Sequence, residues 1–184
     1  MNQSLEVPHL DTGHGYLLRP WQMDDLALVR EASADDYIPL ITTVPSPYSD
    51  AEGTAFVHRQ WGRAVSGAGY PFVVVRAEDG KLMGTIGLWV RDRAQGRASL
   101  GYWVVESARG QGAAVAALRA TATWGLRELA IPRMELHIEP WNAASLKTAE
   151  RAGFLREGLL RSWQQVGDQR CDMYMYSLLA ADLA

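Results

Sequence analysis

The run Glu106-Ser107-Ala108-Arg109-Gly110-Gln111-Gly112-Ala113-Ala114-Val115 puts glycines and small residues between an apolar strand pattern and a long helical one. A helix N-terminus offers free backbone N–H groups and the positive end of a dipole, and small side chains let phosphate oxygens come close. Spacing narrows the chemistry. The dinucleotide pattern G-x-G-x-x-G needs a third glycine where Val115 stands, and the nucleoside-triphosphate loop needs a Lys-Ser/Thr pair that the run lacks. Gly110 and Gly112 are also compatible with a plain tight turn. Some thirty positions on, Asn142-Ala143-Ala144-Ser145 combines a good N-cap with a hydroxyl in the first helical turn.

Several elements must hold these residues. Gly15–Pro20 reads as a strand closed by proline, Met23–Ala34 as a short helix, and 38–50, with three prolines, as a loop. A helix over Ala51–Val65 is expected with Asp50 as its N-cap, followed by strands Phe72–Arg76 and Leu82–Val90 around a turn at Asp79-Gly80. Ala98–Val105 is the next strand, and Gln111–Leu129 the next helix, with Val115, Leu118, Ala122, Leu126 and Leu129 on one face. The alternation Met134, Leu136, Ile138 marks a strand, Ala143–Arg151 a helix ended by Gly153, and Leu155–Val166 and Gln169–Leu179 two long strands turning at Gly167-Asp168. The order predicts an α/β fold with a mixed central sheet flanked by helices.

Arg109-x-x-Gly112-x-Ala114, preceded by Leu100-Gly101-Tyr102-Trp103-Val104-Val105 and followed by Asn142-x-x-Ser145 and Ala152-Gly153-Phe154, resembles the GNAT acyltransferase superfamily. Leu100 through Glu157-Gly158 is most similar to the ribosomal-protein alanine N-acetyltransferases of the RimJ/RimL type, and the likeness covers roughly residues 16 to 179. It implies one GNAT domain over 1–184, with the sheet splayed between its fourth and fifth strands, Ala98–Val105 and 133–139, and an acyl-CoA, most simply acetyl-CoA, in the cleft. Its pyrophosphate would rest on Arg109, Gly110, Gln111, Gly112, Ala113 and Ala114. The backbones of Trp103, Val104 and Val105 and the side chain of Asn142 would hold the pantetheine arm, and Ser145 would meet the leaving thiolate.

The resemblance implies an N-acyltransferase in which an amine attacks the thioester directly in a ternary complex. The family's glutamate, however, is matched here by Gln164, which cannot take a proton. Glu106, at the exit of the splayed strand, and Glu139, at the end of the facing one, are the candidates for the base. Trp89, Trp141 and Gln164 are candidates for an acceptor pocket able to stack on a flat or cationic amine. The acceptor is a protein N-terminus or a small-molecule amine. Two alternatives stay open: a non-catalytic acyl-CoA-binding module, and an enzyme for a larger acyl-CoA such as succinyl-CoA, with Arg161 or Arg170 near the acyl end.

The 184 residues are 48% hydrophobic and 21% charged, with net charge -3 and pI about 5.8, which argues against a protein built mainly to grip nucleic acid. The single cysteine, Cys171, forms no internal disulfide, and no metal site is expected. The sequence has no membrane span and no signal-peptide pattern at its start, so a cytoplasmic location is expected. A homodimer is compatible with this reading.

Overall fold

The computed structural model describes residues 4–183 and contains one eight-stranded mixed sheet. Its strands are β1 (Leu10–Asp11), β2 (Tyr16–Pro20), β3 (Gly69–Arg76), β4 (Leu82–Trp89), β5 (Arg97–Val104), β6 (Arg133–Ile138), β7 (Leu155–Val166) and β8 (Gln169–Leu179), in the order β1-β2-β3-β4-β5-β6-β8-β7. All neighbours are antiparallel except β5 and β6. The helices are α1 (Leu26–Ser33), α2 (Ile38–Ile41), α3 (Asp50–Val65), α4 (Ala113–Arg127) and α5 (Ala143–Arg151). Among the described residues no helix is long and apolar enough to cross a membrane.

The two faces of the sheet are covered differently. On one, α4 presents Trp124 edge-on to Tyr70 and Phe72, with ring centroids 4.8 and 5.9 Å apart. Gly125 lets the same helix approach closely, since a Cβ there would come 2.5 Å from the Met134 side chain and 3.2 Å from that of Leu88. On the other face, Trp21 packs between Phe56 of α3 and Trp103 of β5. Cover on both sides explains why β3 is buried along nearly its whole length rather than alternating.

Four expectations need correction. The two-residue β1 precedes the expected first strand, so the splay lies between β5 and β6, the fifth and sixth strands. The 38–50 loop contains the single turn α2, with proline in its first turn, where a missing N–H costs no helical bond. The N-cap of α3 is Ser49, whose hydroxyl accepts from the Glu52 N–H at 3.2 Å, and Asp50 is already helical. Finally, α4 begins at Ala113 rather than Gln111, because Gly110 (φ 75°) and Gly112 (φ 87°) are left-handed and break the helical path before it.

Candidate active site

The sheet opens where the parallel pair of β5 and β6 ends. β5 and β6 are in register at Arg97 with Arg133, Ala98 with Met134 and Ser99 with Glu135, and then diverge. The Val105 N–H donates to Met83 O at 3.1 Å. In an antiparallel ladder, alternate residues turn their backbone groups to opposite sides. Trp103 and Val105 therefore face β4, while Tyr102 and Val104 face the gap. The Val104 carbonyl accepts from Arg109 Nε at 3.2 Å, which leaves its N–H directed at the opening.

Next to the gap lies the glycine loop. Gly112 is the N-cap of α4 and supplies no side-chain cap, so the helix's first N–H groups point outward. A Cβ at Gly110 or Gly112 would meet nothing within 4 Å, which marks open space above the loop. Gln111 is fastened from three sides: its carbonyl accepts from the Tyr16 hydroxyl at 2.6 Å, its Oε1 from Arg76 at 3.0 Å, and its Nε2 donates to Ser107 O at 3.3 Å. The Arg109 side chain turns back to pair with Asp35 at 2.5 Å. Burial works against the charge on Asp35, but the N–H groups of Ile38 and Tyr37, and then Arg109, outweigh it and lower its pKa.

Across the gap, Asn142 caps α5 by accepting the Ser145 N–H on its side chain at 3.1 Å. The Tyr102 hydroxyl reaches over from β5 and donates to the Ser145 carbonyl at 3.4 Å. Burial pushes the Tyr102 pKa up, so the phenol keeps its proton and serves as a donor.

A cavity of about 650 Å³ runs through the splay from Tyr102, Asn142 and Ser145 to a chamber on the α3 side. Glu139, only 5% exposed, stands in its wall and accepts a short hydrogen bond from the Tyr37 hydroxyl. Burial, and then this contact, raise the Tyr37 pKa, so Tyr37 stays neutral and holds one carboxylate oxygen. Two residues earlier, near the end of β6, His137 also lines the chamber; its Nε2 is buried without a partner, and burial lowers its pKa. The lining also includes Trp89, Thr85 and Gly87 of β4 and Gln60 and Arg63 of α3 and, from the half-sheet that carries Glu139, Gln164 of β7.

A glycine loop at a helix N-terminus lies beside a splayed sheet that opens onto a chamber holding a carboxylate, and the comparisons with known proteins place this fold in a family. The acetyltransferase (GNAT) domain family matches residues 16–155. The chain belongs to that family. It is 26% identical over 168 residues to the uncharacterized N-acetyltransferase p20 of Bacillus licheniformis, covering 91% of this chain and 94% of that one. Mycobacterium smegmatis RimJ, solved with a CoA disulfide, superposes with a TM-score of 0.80 at 26% identity, covering 96% of this chain and 88% of RimJ. RimL, the ribosomal L7/L12 alpha-N-protein acetyltransferase solved with coenzyme A, has the same fold, with a TM-score of 0.78 at 21% identity over 94% of this chain and 98% of RimL. The molecule is a RimJ/RimL-like GNAT N-acetyltransferase.

In this GNAT enzyme the expected site residues separate into groups. The loop 109–114, Val104, Asn142 and Ser145 border one end of the opening, and Glu139, Trp89 and Gln164 line the cavity. Trp103 also lines it, while its backbone polar groups and those of Val105 are turned to β4. Glu106 is exposed in a 3-10 turn and lies outside the lining. So does Trp141, which is 62% exposed and edge-on to Tyr37 at 4.9 Å. Neither Arg161 nor Arg170 lines the chamber, and Arg170 is bonded to the Ser162 carbonyl at 2.8 Å across a bulge. Sequence reading missed Tyr37, His137 and Arg63 as cavity residues. His137 was legible in principle, because alternation along the expected strand 133–139 puts it on the face of Glu139.

Proposed function

We propose that the enzyme transfers acetyl from acetyl-CoA to a primary amine held in the 650 Å³ cavity, by direct attack in a ternary complex. The reading rests on the continuity of that cavity from Ser145 and Tyr102 at the splay to buried Glu139. The pyrophosphate lies on the outward N–H groups of the loop and α4, where the helix dipole favours its charge. The pantetheine arm takes the strand position that β6 vacates, bonding the backbones of Tyr102 and Val104. The Val104 N–H donates to the thioester oxygen, where negative charge grows as the amine attacks.

Each proton has a place. Glu139 accepts the one the amine must lose, directly or through water, while Tyr37 orients the carboxylate. As the tetrahedral centre collapses, the carbon–sulfur bond breaks and the thiolate takes a proton from the hydroxyl of Ser145 or Tyr102. Solvent restores both groups. Arg161 and Arg170, the residues expected to meet a larger acyl group, stand away from the chamber.

Acetyl-CoA should raise the melting temperature, because a ligand bound only by the folded state stabilises it by mass action, by about 2.7 kcal/mol at one hundred times Kd. Gly112→Glu should abolish that shift by placing bulk and negative charge against the phosphates and forcing a side chain into a left-handed position. Release of free thiol from acetyl-CoA across a panel of amines tests the transfer itself. A folded Gly112→Glu protein that binds CoA like the parent refutes the cradle, and a panel without amine-dependent thiol release refutes the transfer.

A further inference from the structure

The chamber wall opposite Glu139 carries positive charge without a counter-ion. Arg63 and Arg91 both line the cavity, and Arg59 lies beside them. Among the described residues, no carboxylate comes within ion-pair distance of any of the three. Exposed Arg59 and Arg91 can be left to water. Arg63 is only partly exposed, and burial, followed by repulsion from Arg59 and Arg91, lowers its pKa. Desolvation and two like charges disfavour the charged form of a guanidinium, and an anion beside it would offset both.

The Arg63 guanidinium is held in place. It lies over the Trp89 ring, 5.0 Å from the centroid. Trp89 is in turn pressed onto glycines: a Cβ at Gly87 would come 2.2 Å from the indole, and one at Gly69 2.5 Å from it. One Arg63 nitrogen donates to Gln60 Oε1 at 2.7 Å and another to Thr43 Oγ1 at 3.1 Å. The orientation of buried Gln60 is fixed as well, because its Nε2 donates to Phe56 O at 3.2 Å. Guanidinium has five N–H donors, so three stay free for a planar or tetrahedral oxyanion.

We propose that Arg63, stacked on Trp89 and assisted by Arg91, is an anion subsite that takes a carboxylate or phosphate monoester carried by the acceptor. The acceptor is then a small amphoteric molecule with its amine toward Glu139 and its acid toward Arg63. This rests on the acetyl-transfer reading for the amine end and on the arginine wall alone for the acid end.

The test uses the full chain at saturating acetyl-CoA with matched acceptors: α-amino acids against their carboxamides, and aminoethyl phosphate against ethanolamine. The expected preference for the anionic member of at least one pair is about ten-fold or more in kcat/KM, the size of one charge-assisted contact. The pair that displays it distinguishes carboxylate from phosphate. Arg63→Met should bring the ratio towards one through KM, and Arg91→Glu, at an exposed position that does not threaten folding, should shift it towards the neutral member. A ratio near one in the parent enzyme, or one that neither substitution moves, overturns the proposal. If no amine is acetylated at all, quenching of tryptophan fluorescence by inorganic phosphate and by acetate in the CoA-saturated protein still decides. Quenching that Arg63→Met removes upholds the anion site while the transfer reading falls, and absence of quenching overturns the site.

Discussion

Glu139 and Glu106 are chemically alike and differ in where the chain places them. Glu139 directly follows β6, lines the chamber, and is gripped by Tyr37 and buried, whereas Glu106 sits in an exposed 3-10 turn. Glu139→Gln keeps the shape and removes the proton acceptor, so kcat should fall by about 10²-fold or more, the lower range for general base catalysis. Glu106→Gln should leave kcat near that of the parent, measured as thiol release under saturating substrates. Equal losses, or none in either variant, would remove the carboxylate from the mechanism. The sequence made both carboxylates visible but could not rank them. The deciding partner, Tyr37, is 102 positions away, in a proline-rich segment whose path is set by packing. Arg63 was hidden for a similar reason, since a cation on a helix reads as a solvated face until Trp89 is seen beneath it.

Strands and helices were far more legible than the devices joining them. The bounds of α5, β7 and β8 follow directly from cap, alternation and turn residues, while β1 is too short to carry a pattern and the start of α4 depends on two left-handed glycines. One joint escaped notice altogether. Arg133 of β6 donates to both oxygens of Glu157 on β7, at 2.8 and 2.5 Å, and Ser177 of β8 donates to the same carboxylate at 2.7 Å. Arg133 first, then Ser177, push the Glu157 pKa down to about 2 from an ordinary value of 4.5. A carboxylate whose pKa is lower in the folded than in the unfolded state stabilises the fold above the unfolded value. That contribution should be present above pH 4.5 and fade as pH falls towards about 2. Urea denaturation across this window should give a shallower loss of stability for Glu157→Gln than for the parent. Identical slopes would mean the group contributes nothing, as exposed ion pairs often do.

At the scale of the molecule, two half-sheets meet at three registered pairs and then part, so the edge of β5 is unsatisfied where catalysis is proposed. A strand edge left open must find a partner in solvent or ligand. The family resemblance anticipated this opening, but composition and periodicity could not, because β5 and β6 each read as an ordinary strand along their full length. The proposed arm position gives the opening a measurable signature. Adjacent amides should behave oppositely: Val105 already donates to Met83, and Val104 faces the gap. Hydrogen exchange at Val104 should therefore be fast in the free protein and slow markedly with acetyl-CoA, while Val105 should be protected in both states. Residue-resolved exchange by NMR reads the two side by side, so a general stiffening of the protein, which would slow both, is separable from a bond made to one. Protection at Val104 without ligand, or none with it, would place the arm elsewhere and remove the oxyanion donor from the mechanism.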